Sequence, residues 1–266
     1  MPPALDTVHF TVTAAAVAPG GSPMVAIAGD SLTLRSAAGA IQLLNMWCDT
    51  DALGFVQVTS PKLTDATRGL RFRLGVHDPS PLLPYQSLQG LYPVDVLAPT
   101  LASVAGAGKM DNLALLIYYA DLPGSAARFI DVPTLSKRAA EIMTVESALA
   151  PAVGNTYSGL VALNAASDLG KAGADYALVG YKCESAGTAT SITWRGADSG
   201  NYRVGGPAVM NNSQYTAKWF YDLSDYNAMP LIPVFNYNNK AGVFIECVSN
   251  DLLAAVTVTS IFVRLA

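Results

Sequence analysis

The chain has 266 residues, of which 51% are hydrophobic and 14% are charged, and its formal net charge is −4. Ordinary soluble domains carry about 25% charged residues, so a surface partly covered by neighbouring chains is expected. The alternative is an ordinary monomer whose surface is rich in Ala, Thr and Ser. The densest basic cluster is Lys137-Arg138, which is too small to indicate direct nucleic-acid binding.

Short segments rich in Val, Ile, Thr, Phe and Tyr recur along the chain and are separated by Gly, Pro, Asn, Asp and Ser. This pattern is typical of β-strands joined by turns. In the first half it predicts strands near residues 8–13, 24–28, 31–35, 41–47, 55–59, 69–74, 94–97, 113–119 and 128–132. In the second half it predicts strands near residues 144–148, 160–163, 176–183, 190–194, 202–204, 215–221, 231–236, 242–248 and 256–263.

One helix is predicted, over residues 133–143. Pro133 suits the first turn of a helix, and Leu135, Ala139 and Ile142 recur at the spacing of one helical face. Residues 99–107 are compatible with either a loop or a short helical turn. About nine strands in each half with almost no helix predict an all-β sandwich or barrel.

The two halves also echo each other in sequence, with an offset close to half the chain length. Cys48 and Cys183, which lie 135 residues apart, each fall at the end of a predicted strand. The other echoes pair Val58-Thr59 with Ile192-Thr193, Leu97-Ala98-Pro99 with Leu231-Ile232-Pro233, Leu115-Leu116-Ile117 with Val243-Phe244-Ile245, and Arg128-Phe129-Ile130 with Ile261-Phe262-Val263. A tandem repeat of two β-domains is therefore predicted, and the predicted helix falls at its junction.

Residues suited to catalysis are few. His9 alternates with apolar neighbours in a predicted strand, so a solvated or interface position is favoured over a catalytic base. His77-Asp78 lies in a Pro-rich segment, where polar side chains that cap turns are the favoured interpretation. The chain is predicted not to be an enzyme, with no catalytic, cofactor-binding or metal-binding residues and no cofactor.

Two further groups contain side chains that can bind metal ions. Asp49-Thr50-Asp51 offers closely spaced carboxylates of the kind that calcium prefers, but a solvated turn is the favoured interpretation. Cys48, Cys183 and Cys247 are odd in number and contain no Cys-x-x-Cys pair. They are therefore predicted to be small apolar residues within strands rather than disulfides or zinc ligands.

Aromatic residues gather in the second half, in particular at Tyr202, Tyr215, Trp219, Phe220, Tyr221, Tyr226, Phe235 and Tyr237. On an exposed β-surface such side chains could stack on sugar rings. In a core or a subunit interface they act as apolar anchors. The second interpretation is favoured. If 215–221 is a regular strand, Tyr215, Trp219 and Tyr221 share one face.

This layout resembles the double jelly-roll major capsid proteins of tectivirus- and corticovirus-type viruses. The resemblance rests on two β-rich halves, a helical junction, the Leu97-Ala98-Pro99 and Leu231-Ile232-Pro233 echo, and a strand that ends the chain. It implies two consecutive jelly-roll β-barrels with a short helix at the junction. The expected units are residues 1–132 (first barrel), 133–143 (junction) and 144–266 (second barrel).

The same resemblance implies a structural function. The chain would be a capsid protein of the virion that self-assembles as a homotrimer and contacts other capsid proteins, often above an internal membrane. The weak basic content departs from what contact with lipid head groups or a genome would need. Two other hypotheses are a non-viral self-assembling shell or surface protein and a carbohydrate-binding β-sandwich protein.

Overall fold

The computed structural model describes the chain as an all-β protein with two short α-helices in the described residues. No helix among these residues has both the length and the apolar character needed to cross a bilayer. The described residues are 3–14, 22–30, 41–50, 54–59, 67, 69–74, 81–82, 98–103, 109–120, 122, 126–150, 156–163, 173–185, 189–208, 216–236, 238, 242–249 and 255–266.

The strands fall into two groups along the chain, separated by a short linker. The first group consists of β1 (Ala4–Ala14), β2 (Ser22–Pro23), β3 (Val25–Ala26), β4 (Ile41–Thr50), β5 (Gly54–Thr59), β6 (Leu70–Leu74), β7 (Ala98–Ser103) and β8 (Lys109–Tyr119). The linker carries β9 (Phe129–Ile130) and helix α1 (Val132–Arg138). The second group consists of β10 (Ala139–Leu149), β11 (Val161–Ala162), β12 (Asp175–Ser185), β13 (Ser191–Arg195), β14 (Val204–Pro207), helix α2 (Trp219–Asn227), β15 (Ile232–Asn236), β16 (Phe244–Val248) and β17 (Val256–Leu265).

These strands form four sheets, two from each half. Sheet I has the order β3-β1-β8-β4 and sheet II the order β2-β7-β5-β6. Sheet III has the order β11-β16-β13-β14 and sheet IV the order β10-β17-β12-β15-β9. Every strand pairing is antiparallel.

The strand order is the same in both halves. If the eight strands of the second half are numbered from β10 to β17, sheet IV runs first-eighth-third-sixth and sheet III runs second-seventh-fourth-fifth. In the first half, sheet I contains β1-β8-β4 and sheet II contains β2-β7-β5-β6. Sheet I has β3 as an additional edge strand, and no counterpart of β15 occurs among the described residues of the first half. At the other positions the described orders match those of the second half.

Only the first two sequence echoes join strands that are equivalent in the two halves. Cys48 and Cys183 lie in equivalent strands, as do Val58 and Ile192. The three later echoes join strands at different positions in the two halves. The reason is a change of offset: Ala4 and Ala139 begin equivalent strands 135 residues apart, whereas Tyr119 and Leu265 end equivalent strands 146 apart. The second half is longer between β14 and β16, where it carries α2.

Buried side chains place the sheets in the order II, I, III, IV. One face of sheet I packs on sheet II through a core that includes Phe10, Met46, Val56 and Leu115. The inner faces of sheets III and IV enclose a second core. The opposite face of sheet I joins that second core through Leu5, Leu44, Trp47, Ala114, Leu116 and Tyr118. Sheet I is therefore buried on both faces.

Helix α1 begins where the sequence predicts a helix but ends earlier. The side chain of Asp131 accepts a hydrogen bond from the backbone N–H of Thr134 at 2.8 Å, and a proline occupies the first turn. The prediction of helix as far as residue 143 is wrong, because residues 139–149 belong to β10 and pair with β17. Pairing along this whole strand outweighs the helix preference of Ala139 and Ala140.

The predicted strand at 215–221 is also wrong. Residues Trp219–Asn227 form α2, and Tyr215 lies outside the described residues. The segment leading into α2 lies along β12, where the N–H of Tyr181 donates to the carbonyl of Thr216 at 2.9 Å. The predicted strands at 31–35 and 94–97 lie outside the described residues.

Gly180 allows this segment to approach β12. A Cβ atom at position 180 would collide with the backbone of Ala217 and Lys218. We expect Gly180→Ala to lower the free energy of unfolding by about 1–3 kcal/mol, measured by urea denaturation. Gly242→Ala is the matched control, because a Cβ there meets no atom within 4 Å. Equal stability of the two variants would contradict this account of the packing.

Candidate functional site: the buried contact between the halves

A buried polar network lies where sheet I meets sheet III. At its centre is Arg203, whose side chain is 13% exposed and precedes β14. Its Nη1 donates to Asp30 Oδ1 at 2.8 Å, and its Nε donates to Glu246 Oε1 at 2.7 Å. Its guanidinium carbon lies 3.9 Å from the ring centroid of Tyr157. One cation therefore joins a carboxylate of the first half to a carboxylate and an aromatic ring of the second.

The backbone at Arg203 reinforces this link. The N–H of Thr7 in β1 donates to the carbonyl of Arg203 at 2.7 Å. The N–H of Arg203 donates to Asp6 Oδ1 at 3.2 Å. The edge of β1 thus continues its hydrogen bonding onto the second half.

His9 belongs to the same network. Its side chain is fully buried, so the solvated alternative is wrong, and it lies between the halves rather than on the outer surface. Its backbone N–H donates to Asp30 Oδ2 at 2.7 Å, and its Nδ1 lies 2.6 Å from the hydroxyl of Tyr157. The Tyr157 hydroxyl donates to Asp30 Oδ2 at 2.6 Å. A histidine enclosed in this way holds a strand in position and is sealed from any substrate.

The electrostatics of the network follow from burial and pairing. Burial raises the pKa of Asp30, but hydrogen bonds from His9 and Tyr157 and the charges of His9 and Arg203 outweigh it, so the pKa lies below its ordinary value. Burial and the charge of Asp30 raise the pKa of Tyr157 well above its ordinary value. The network therefore holds an ionised Asp30 beside a neutral phenol at neutral pH.

Neutral contacts extend this interface along β4 and β8. The indole Nε1 of Trp47 donates to Ser191 Oγ at 2.8 Å, and the ring of Trp47 meets that of Trp219 edge-on with centroids 5.9 Å apart. Asn112 Nδ2 donates to Thr190 Oγ1 at 3.2 Å. Hydrogen bonds and aromatic packing thus join the halves as closely as neighbouring layers within one domain.

The predicted turn at Asp49-Thr50-Asp51 is wrong for its first two residues. Asp49 and Thr50 lie in β4, are buried, and stand opposite Asn112 and Asp111 of β8. Asp51 lies outside the described residues. No group of three or more His, Cys, Asp and Glu side chains able to hold a metal ion occurs in the described part of the chain. His77-Asp78 likewise lies outside that part.

The cysteines are buried strand residues, as predicted. Cys48, Cys183 and Cys247 lie in β4, β12 and β16 and form no disulfide. Burial raises the pKa of all three thiols, that of Cys247 to about 11. Their thiols therefore remain protonated and fill the core as small apolar groups.

The aromatic residues support the core interpretation. Trp219 and Phe220 are fully buried, and Phe235 is 3% exposed. Tyr202 is partly buried and packs on the core of the first half. Among the described aromatic residues Tyr226 is the most exposed, at 44%. Tyr215 and Tyr237 lie outside the described residues.

A second polar cluster fixes the linker to the second half. Arg128 donates two hydrogen bonds to Asp175, from Nη1 at 2.9 Å and from Nη2 at 2.6 Å. Asn236 Nδ2 donates to the same carboxylate at 2.7 Å, and Arg138 Nη2 lies 3.9 Å from it. The hydrogen bonds from Arg128 lower the pKa of Asp175 despite its partial burial. The cluster is a structural tether, with the arginines already engaged by carboxylates.

Sequence reasoning missed Arg203, Asp30, Tyr157 and Glu246. One signal was available, because Glu246 interrupts the apolar run Phe244-Ile245-Glu246-Cys247-Val248 in a chain with little charge. A carboxylate inside such a strand needs a cationic partner if both faces are buried. Its partner could not be identified, since Arg203 lies 43 residues away.

No family model and no curated protein matches the chain. Among solved structures, it is similar to the PBSX exported protein XepA at 8% identity and a TM-score of 0.27, covering 98% of this chain and 86% of that chain. It is similar to the major capsid protein P2 from bacteriophage PM2 at 9% identity and a TM-score of 0.22, covering 100% and 98%. It is similar to the infectious bursal disease virus VP2 subviral particle at 10% identity and a TM-score of 0.14, covering 99% and 78%. TM-scores this low do not establish a shared fold with any of these three proteins.

Removing the central cation should be strongly destabilising. We expect Arg203→Met to lower the free energy of unfolding by about 3–5 kcal/mol. Asp30 loses its arginine partner, and Glu246 keeps only Arg195, whose Nε lies 3.5 Å from Oε1. Urea denaturation measures this loss. Lys218→Met is the control, because Lys218 is exposed and its ion pair with Asp222 is screened by solvent. A loss for Arg203→Met no larger than the control's would contradict the role of the network.

Acid should weaken the same contact. Because the folded pKa of Asp30 lies below its ordinary 3.8, its contribution is present above that value and is lost as the pH falls through the folded pKa. Asp30→Asn should therefore be less stable than the unchanged chain at pH 7, by a margin that narrows below pH 3.8. Urea denaturation over an acid series measures the margin, with Asp225→Asn on α2 as the exposed control. A margin independent of pH would contradict the assignment.

Proposed function

We propose that this chain is a structural protein that forms the shell of a virus particle, a major capsid protein that assembles as homotrimers. The observation that carries the proposal is the strand order repeated in the two halves. The orders first-eighth-third-sixth and second-seventh-fourth-fifth are those of a jelly roll, a two-sheet architecture found in viral capsid proteins and lectins.

On this proposal each half is a jelly-roll barrel and the chain is a double jelly roll. The sequence predicts units at residues 1–132 and 144–266 with 133–143 as the junction. Because β10 begins at Ala139, the proposed second barrel begins there and the junction is reduced to helix α1. Sheets I and II form the first barrel, and sheets III and IV form the second. Three such chains would present six barrels of the same topology, which suits a ring of pseudo-hexagonal outline.

The contact between the halves favours a structural rather than a catalytic role. Arg203 binds Asp30 and Glu246, and the backbone N–H of His9 donates to Asp30. These groups are thus engaged by one another in the contact between sheets I and III. Two barrels held in this way act as one rigid building block. Under this proposal the chain resides in the virion, contacts further copies and other capsid proteins, and carries out no reaction.

The proposal also accounts for the composition. A shell subunit covers much of its surface with neighbours, and a chain with 14% charged residues is suited to broad neutral contacts. Sugar binding would need exposed aromatic platforms, whereas Trp219, Phe220 and Phe235 are enclosed in the core.

Size-exclusion chromatography with light scattering, followed by electron microscopy, tests the proposal. We expect a species of three times the 27.8 kDa chain mass that forms closed icosahedral particles. A monodisperse monomer that binds glycans on an array would overturn the proposal and favour the carbohydrate-binding alternative. Tubes or flat sheets would favour a non-viral shell or surface protein.

A further inference from the structure

The two outermost sheet faces of the described structure differ in charge. Sheet II turns one face outward, and there Arg71 and Arg73 on β6 stand opposite Gln57 and Phe55 on β5. Both arginines are exposed. The guanidinium carbon of Arg71 lies 3.9 Å from the ring centroid of Phe55, and its Nη2 donates to Gln57 Oε1 at 3.2 Å. The described part of this face contains two cations and no carboxylate.

Sheet IV turns its outer face to the opposite side of the molecule. Helix α1 covers one end of that face with Leu135, which packs on residues of β12, β15 and β17. Beyond the helix, Glu146 on β10 and Lys182 on β12 flank Thr259, and Glu184 on β12 stands beside Thr257. These three charged side chains are exposed, with no ion pair to any described residue. The described patch has two carboxylates, one ammonium group and small polar neighbours.

The same patch carries apolar contact area. Ile142 on β10 is 73% exposed and lies on the same side of the strand as Glu146. Ile261 on β17 stands opposite Thr144 and is partly exposed. Ile142 and Ile261 lie diagonally across the β10–β17 pair, so they form one small apolar area within the patch.

The chain already contains a contact of this kind. Sheet I of the first half lies against sheet III of the second half. By strand order, sheet I corresponds to sheet IV, and sheet III corresponds to sheet II. The faces left without a partner are therefore the outer face of sheet II and the outer face of sheet IV. They are the two faces that would meet if the internal contact were repeated between chains.

We propose that the Arg71/Arg73 face of sheet II binds the Glu146/Glu184 face of sheet IV on a second copy of this chain. The inference rests on the proposed function and names the surfaces by which its copies associate. The contact is heterologous, because two different faces meet, and such contacts close into rings when the rotation permits. Opposite charges select the partner face, and Phe55, Ile142 and Ile261 add apolar area.

Charge reversal tests the contact. One variant carries Arg71→Glu and Arg73→Glu, and the second carries Glu146→Arg and Glu184→Arg. Each sets like charges against each other, so we expect the concentration needed for half-assembly to rise by about 100-fold or more. Light scattering over a concentration series measures this. Asp225→Arg, an exposed reversal on α2, is the control and should assemble like the unchanged chain.

A third variant that carries all four reversals should assemble again, because its two faces are once more opposite in charge. Mixing the first two variants should not restore a closed trimer, since an odd ring cannot alternate them and one like-charged contact always remains. Circular dichroism and thermal melting verify that each variant is folded.

The outcomes separate the two proposals. If the unchanged chain forms trimers and the folded two-residue variants form them equally well, or the four-residue variant fails to recover, the named faces are wrong while the shell function stands. If the unchanged chain is monomeric at every concentration, the shell function and the face assignment both fall.

Discussion

The burial of sheet I on both faces is the constraint on which the rest of the structure depends. A sheet with one solvent-exposed face can carry polar residues at every second position. The central residues of β4 and β8 have no solvent-exposed face. Leu43 points into the core between sheets I and II, and the next residue, Leu44, points into the second core on the opposite face. A slip of one residue would exchange the two faces, and here it would move side chains between two differently shaped cores. The register is therefore specified from both sides.

The same constraint explains why so many polar groups are buried in a chain with so few charges. Where the second face of sheet I meets sheet III, backbone edges and polar side chains are removed from water and need partners. Arg203 supplies several at once, since its guanidinium has five N–H donors in a fixed plane. Buried ion pairs of this type contribute little net stability compared with apolar packing. What they provide is selectivity, because another placement of the halves would separate the buried Asp30 from Arg203.

Much of the fold could be predicted from the sequence. Alternating apolar residues and turn residues identify most strands, and Asp131-Val132-Pro133 marks the start of α1. The repeat was visible in Cys48 and Cys183, which lie in equivalent strands. The later echoes failed because an offset taken from the first strands does not hold beyond α2. Helix α2 itself was missed because the aromatic run Trp219-Phe220-Tyr221 favours a strand by propensity, although Trp219, Phe220 and Leu223 face the core at helical spacing. The buried network could not be predicted from the sequence because Asp30 and Arg203 are 173 residues apart.

The pairing of the first strand of each half with its last has a consequence for the order of events during synthesis. Ala4 pairs with Tyr119, and Ala139 pairs with Leu265. Neither half can complete the sheet that contains its first strand until its last strand has left the ribosome, so folding proceeds in two delayed steps rather than continuously. After the first step, the face of sheet I that will contact the second half stays exposed to solvent. It remains so while about 140 further residues are translated, at about 5–20 residues per second. A nascent chain at this stage carries an exposed apolar surface for about 7–28 seconds, which makes it a suitable substrate for a chaperone.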